Sequence, residues 1–135
     1  MGYTHYFTQP ADFTEGQWIR LQEEVQAIDE QAFDIAAELE MDETVICING
    51  VGDGEHETLI IYRNVNRDGW DFCKTARKPY DDIVTAILIR LANSYNYTVN
   101  SDGSWLDWQD GRELYKATFN SEPTNILTRQ PQEVI

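Results

Sequence analysis

Lys74, Arg77 and Lys78 fall within five positions of one another and are three of the 10 basic residues in the chain. They lie in Phe72-Cys73-Lys74-Thr75-Ala76-Arg77-Lys78-Pro79-Tyr80-Asp81. Pro79 suits the first turn of a helix, so the cluster stands at a helix entrance. Its cations, the Thr75 hydroxyl and the unpaired amides of that turn can converge on one anion, a phosphate or a carboxylate. The competing use is internal, with the same bases neutralising Asp81, Asp82 and the acidic part of the molecule. The spacing is not that of a Walker loop, and no GxGxxG occurs, so nucleotide triphosphate hydrolysis and dinucleotide binding lack a motif.

A second polar cluster opens the chain. Residues 3–8, Tyr-Thr-His-Tyr-Phe-Thr, have the composition of a strand, with Tyr3, His5 and Phe7 on one face and Thr4, Tyr6 and Thr8 on the other. Hydrogen-bonding groups thus occupy both faces, where a plain core strand carries Val or Ile, and one face is expected to line a pocket or an interface. His5 reads first as a satisfied, partly buried histidine. With no serine or cysteine recognisably paired to it, a His5-dependent phosphodiesterase or transferase is the lesser reading, and a non-enzymatic role is expected. His5 and His56 are the two histidines, too few for a three-ligand zinc site unless a carboxylate or cysteine joins them. The loop Asn49 to Glu57 holds Asp53, Glu55 and Glu57 but lacks the ligand order of an EF-hand. No metal and no cofactor is expected.

The 24 Asp and Glu outnumber the 10 Lys and Arg in 135 residues, giving a net charge of -14. That balance argues against direct nucleic-acid binding and against anionic membranes. No Lys or Arg occurs between Arg20 and Arg63, an interval that holds half of the 24 acids. The first explanation is a solvated face that keeps the protein in solution. The sharper one is mimicry: a rigid helix displaying Glu23, Glu24, Glu30, Asp34 and Glu38 resembles a phosphate array and could occupy the basic groove of a nucleic-acid-binding host protein, in a salt-sensitive complex.

The elements that must position these groups follow from pattern. Thr14 and Gln17 form a capping box flanked by Phe13 and Trp18. Trp18, Leu21, Val25, Ile28, Ala32, Ile35 and Leu39 then repeat at steps of three and four, as one long helix or two broken near Asp29. Residues 44–48 and 58–62 are β-branched runs of a hairpin, and the Asn66–Gly69 turn leads to a strand over residues 70–74, giving an antiparallel meander. Residues 83–92 have almost no polar face and predict the most buried helix. Residues 95–100 read as a last strand, Asp102-Gly103 as its turn, and Ser104 as the cap of a helix presenting Trp105, Trp108, Tyr115 and Phe119, with Gly111 a point where it could be cut short.

The expectation is one α+β domain over residues 1–119, with helices on one face of a mainly antiparallel sheet, ferredoxin-like with an extra strand. Residues 120–135 are expected to form an irregular tail on the surface. Cys47 and Cys73 both sit in apolar runs and are read as reduced core residues. No apolar run approaches the length of a membrane span and the N-terminus lacks a signal-peptide layout, so the expected compartment is the cytoplasm.

Met1-Gly2-Tyr3-Thr4-His5-Tyr6-Phe7, the segment Phe72 to Asp81 followed by Val84 and Ala86, and Ser101-Asp102-Gly103 followed by Trp105 together resemble a family of small uncharacterised proteins of phage and bacterial genomes. The resemblance implies a phage or prophage setting, with the host cytoplasm as its compartment, and a shared element around Lys74 to Asp81; it implies no activity or catalytic residue. The acidic stretch between Leu21 and Thr44 is less typical of such relatives, which favours a pocket as the common feature. The leading expectation is therefore a non-enzymatic accessory protein that binds a small anionic ligand or a host protein through Thr4, His5, Tyr6, Lys74, Thr75, Arg77, Lys78 and Asp81, with Asp102 near the same edge.

Overall fold

The computed structural model describes residues 2–128. In chain order the elements are β1 (Thr4–Thr8), α1 (Glu15–Gln31), β2 (Ala37–Met41), β3 (Val45–Gly50), β4 (Leu59–Tyr62), β5 (Trp70–Lys74), α2 (Asp81–Tyr95), β6 (Thr98–Ser101) and α3 (Gln109–Phe119). The class is α+β, and every strand pairing between these elements is antiparallel.

The strands form two three-stranded sheets, β5-β1-β6 and β2-β3-β4, in place of one ferredoxin-like sheet. The break falls at the expected meander. After β4, positive φ at Arg67 and Gly69 turns the chain, and Gly69 accepts a bond from Gln9 N at 2.9 Å. A Cβ on Gly69 would lie 2.5 Å from Gln9 O. The turn therefore delivers β5 to β1, and the β3-β4 hairpin ends its own sheet.

The capping box forms as expected: Gln17 N donates to Thr14 Oγ1 at 3.2 Å, and Thr14 N to Gln17 Oε1 at 2.9 Å. Trp18, Leu21, Val25 and Ile28 are the buried face of α1. The helix stops at Gln31, so the stripe does not continue to Leu39. Ile35 lies in the connection, and Leu39 belongs to β2, where apolar Ala37, Leu39 and Met41 alternate with exposed Glu38 and Glu40. The alternation in Ala-Glu-Leu-Glu-Met separates the two readings, because Met41 does not continue the helical stripe.

α2 is the centre of the core, with every residue from Ile83 to Ile89 buried. It runs through Tyr95 and ends on Asn96 in the left-handed region, so the last strand begins at Thr98, later than expected. Ser104 caps a short 3-10 turn, Leu106–Trp108, that leads into α3. Gly111 does not shorten α3; it is where α3 meets α2, and a Cβ there would lie 1.8 Å from Thr85 Oγ1. The tail is not wholly a surface strand of chain: Pro123 and Leu127 are buried, and Leu127 bridges Val99 in parallel. Residues 129–135 of the expected tail lie outside the described residues. Cys73 is in the core, but Cys47 is half-buried on β3 opposite Glu40 and is not a core residue.

At the start of α2, burial pushes the Asp82 carboxyl up to about 6, with like charge from Asp110, Asp81 and Asp34 adding to the rise. The unfolded value is near 3.8. The folded protein therefore holds this proton more tightly, a contribution that is full below about pH 4 and lost as pH rises through about 6. Asp82→Asn is expected to flatten the decline in stability across that window in urea titrations; an unchanged pH slope would contradict the assignment.

Candidate functional site

His5 lies in β1, the middle strand of its sheet, and is 0% exposed. Its Nδ1 is 2.8 Å from Ser101 Oγ, across the register of β6, and its Nε2 is 2.7 Å from Asp81 Oδ1 at the start of α2. Ser101 Oγ also accepts from Gly103 N at 2.9 Å and from Trp108 Nε1 at 3.2 Å. A hydroxyl has one proton and two lone pairs. Two obligate N–H donors fill the lone pairs, so Ser101 donates its proton to Nδ1 and the ring carries its own proton on Nε2, which donates to Asp81.

The order Ser101, His5, Asp81 has the connectivity of a hydrolase triad with the two ring nitrogens exchanged. Chemistry would need a free lone pair on Ser101 and access to His5, and this arrangement provides neither. Tyr3 and Trp108 close over the imidazole edge-on, with centroids at 5.1 and 5.0 Å. The array is a buried post that fastens β1, β6 and α2 to one another.

The same post shapes the basic segment. Thr75 Oγ1 donates to Asp81 Oδ1 at 2.6 Å, and Thr75 N donates to Tyr3 O at 3.1 Å. Lys78 N donates to Thr75 O at 3.0 Å across Ala76 and Arg77, whose φ values are 53° and 57°. Positive φ at both central positions defines a type I′ turn, which ordinarily carries Asn-Gly. Left-handed backbone costs a residue with a Cβ about 1–2 kcal/mol, and strain of this kind is retained where the surroundings over-determine it. Ala76→Gly is accordingly expected to raise stability by roughly 0.5 kcal/mol, the relief offset in part by the greater freedom of glycine in the unfolded chain; a loss in chemical denaturation would contradict the strain argument.

This turn lays the Arg77 guanidinium over the Tyr3 ring, 3.9 Å from its centroid. Gly2, Tyr3, Ala76, Arg77 and Asp102 line an open cleft of about 590 Å³ there. Burial pushes the Tyr3 hydroxyl up to about 12, Asp81 adding to the rise and Arg77 opposing it. Among the described residues that hydroxyl makes no hydrogen bond of ordinary geometry, although Ser101 lies near enough to oppose the rise. Asp102 is exposed and accepts from Thr4 N at 3.0 Å and from the Tyr6 hydroxyl at 3.3 Å, which binds the cleft to the outer face of β1.

The residues expected to form one site are only partly brought together. Tyr3, Arg77 and Asp102 share the cleft, and Thr4 and Tyr6 buttress Asp102. His5, Thr75 and Asp81 lie beneath it as scaffold. Lys78 turns away, its Nζ donating to Asp53 O at 3.0 Å. Lys74 projects from β5 with its ammonium 5.8 Å from the Phe72 ring. The three cations therefore do not converge on a single anion: Lys74 lies on β5 against Phe72, Arg77 is laid on Tyr3 by the turn, and Lys78 reaches Asp53 O. Internal neutralisation fails as well: among the described residues, Asp81 pairs with His5, and none of the three bases forms an ion pair.

The acidic residues are also divided. Glu23 and Glu30 are exposed on α1, while Asp34 and Glu38 lie beyond its end, so no single rigid helix displays the set. Glu24 is held inside the structure by Arg90 at 2.6 Å and the Tyr95 hydroxyl at 2.7 Å. No three His, Cys, Asp or Glu among the described residues form a metal-binding group, and none of the described helices is long and apolar enough to cross a membrane. Sequence reasoning missed Tyr3 and Ser101 as site residues; the alternation of residues 3–8 and the Ser-Asp-Gly turn were the available signals. Comparison with protein-family models, curated proteins and solved structures finds no match.

Proposed function

We propose that this chain is a non-enzymatic accessory protein of phage type, acting in a host cytoplasm, that captures the phosphate or carboxylate group of a small ligand at Arg77. One observation carries the reading. In a protein of net charge -14, a guanidinium stacked on Tyr3 beside an open cleft makes no ion pair or hydrogen bond among the described residues, and it stands on a strained turn. Stacking leaves the N–H edge of the guanidinium available for the two parallel bonds with which arginine holds oxyanions.

Isothermal titration with inorganic phosphate and with acetate tests it. Saturable binding of at least one is expected, weakened tenfold or more by Arg77→Ala with the urea midpoint little changed. Absence of saturable binding to either, or binding indifferent to Arg77→Ala, would overturn the reading.

A second reading rests on a different observation, the exposure of Glu23, Glu30, Asp34 and Glu38 in a stretch free of Lys and Arg. It makes these exposed carboxylates, spread over α1, the connection after it and β2, a decoy for a basic groove on a host defence protein. Such a complex would dissolve as salt rises and on reversing Glu23, Glu30 and Glu38, and would ignore Arg77→Ala.

A further inference from the structure

The sheet order makes β2 an outer strand, paired with β3 on one side. Asp42 N donates to Val45 O at 3.0 Å and closes that hairpin. Bonded and non-bonded positions alternate along an antiparallel pair. Glu40 and Glu38 therefore bond to β3, and the N–H and C=O groups of Ala37, Leu39 and Met41 point to the open edge. Among the described residues no hydrogen bond reaches that edge from another element. Beside it α1 forms a second wall: Trp18 Nε1 and Gln22 Nε2 both donate to Asp42 O at 3.0 Å, which fastens the end of β2 to the helix. Ile19, Gln22, Glu23, Gln26, Ala27 and Glu30, on one flank of α1, line an open groove of about 480 Å³ with Met41. Ile19 is 50% exposed, and Phe33, in the connection from α1 to β2, is 87% exposed. Apolar side chains left open next to an unpaired strand mark a binding face.

We propose that this edge and groove take up an extended cationic segment of a partner protein as a further strand of the sheet β2-β3-β4, its apolar side chains turned into the groove and its Lys or Arg turned to Glu38 and Glu40. The two faces of β2 fix that alternation. Ala37, Leu39 and Met41 pack toward the core while Glu38 and Glu40 are exposed on the opposite face. An added strand has the same period, so every second side chain faces Ile19, Ala27 and Met41, and those between stand beside the carboxylates. Glu23 and Glu30 rim the groove, no Lys or Arg occurs between Arg20 and Arg63, and Arg20 itself donates to the Tyr95 hydroxyl. The charge therefore selects a cationic strand and repels a second copy of this chain, whose edge carries the same acids. The inference is independent of Arg77 and deepens the second reading, on whose carboxylates it rests, by adding main-chain pairing and apolar contact to charge.

Calorimetric titration of the full chain with the peptide acetyl-Lys-Val-Lys-Val-Lys-Val-Lys-amide tests it. The controls are a block peptide of the same composition, acetyl-Lys-Lys-Lys-Lys-Val-Val-Val-amide, and the alternating peptide N-methylated at its valines, the residues set against the open N–H and C=O groups of β2. The alternating peptide is expected to bind saturably and about tenfold or more tighter than either control, since main-chain bonds supply affinity in strand addition. Glu40→Lys and Ile19→Lys are each expected to weaken it about fivefold or more, and Glu113→Lys, the same reversal on α3, by less than about twofold. Absence of saturable binding, or equal weakening by Glu40→Lys and Glu113→Lys, would overturn the inference. If all three peptides bind alike and respond to Glu23→Lys and Glu30→Lys, the strand assignment fails and the charge-only second reading stands. If binding responds to none of these carboxylates, both fail. A dimer in sedimentation that the alternating peptide does not dissociate would overturn the assignment in favour of self-association.

Discussion

Asp81→Ala is expected to destabilise the protein by about 3 kcal/mol and to abolish anion binding although Arg77 is untouched. Asp81 Oδ1 is the common acceptor of His5 Nε2 and Thr75 Oγ1, at 2.7 and 2.6 Å. Both donors belong to fully buried residues, and a buried donor left without an acceptor costs about 1–3 kcal/mol. Thr75 also opens the strained turn, so releasing its hydroxyl allows Ala76 and Arg77 to relax out of the left-handed region and lift the guanidinium from Tyr3. Asp81→Asn retains an amide oxygen for the two donors and is expected to cost about 1 kcal/mol with part of the binding preserved. Urea denaturation and phosphate titration of both variants check this. A loss below about 1 kcal/mol for Asp81→Ala would show that the post does not bear the strain of the turn.

Gly111→Ala carries the second large effect, a net loss of about 2 kcal/mol despite a gain of about 1 kcal/mol in helix propensity. The added Cβ would meet Thr85 Oγ1 at 1.8 Å, Thr85 Cβ at 2.8 Å and the Asp82 carbonyl oxygen at 3.2 Å. Thr85 is buried, is stiff at χ1, and donates to Asp81 O and Asp82 O, so it cannot swing aside. α2 and α3 must instead move apart. Thr85→Ala removes the nearest atom, so the double variant is expected to recover much of the loss, a coupling that a double-mutant cycle measures. Additive effects would mean that the helices do not meet at this point.

Much of the fold was legible because local chemistry decided it. The capping box at Thr14, the hairpin across Gly50 to Gly54 and the all-apolar surface of α2 each depend on residues near one another in sequence. The end of α1 was not legible from its stripe, since Ile35 and Leu39 satisfy a helical step while serving a connection and a strand. The pairing of β5 with β1 was hidden for another reason: a turn signal at Asn66–Gly69 says that the chain reverses, but not which strand it reaches.

The candidate site was half legible. The basic cluster and the polar first strand were evident, and the structure brings Arg77 onto Tyr3. The divergence of Arg77 and Lys78 follows left-handed backbone at Ala76 and Arg77, residue types that give no local sign of it. The partnership of His5 with Ser101 spans most of the chain and could only be seen once β1 and β6 were adjacent.

The claim on which the function rests is that Arg77 is held open for an oxyanion. Following the side-chain Nε–H resonances of the arginines by 15N NMR during titration with inorganic phosphate tests it most directly. The account expects a saturable shift at Arg77, shared by the Tyr3 ring and absent in Asp81→Ala, with Arg90, already paired to Glu24, unmoved. Uniform, non-saturating shifts across all arginines would contradict it.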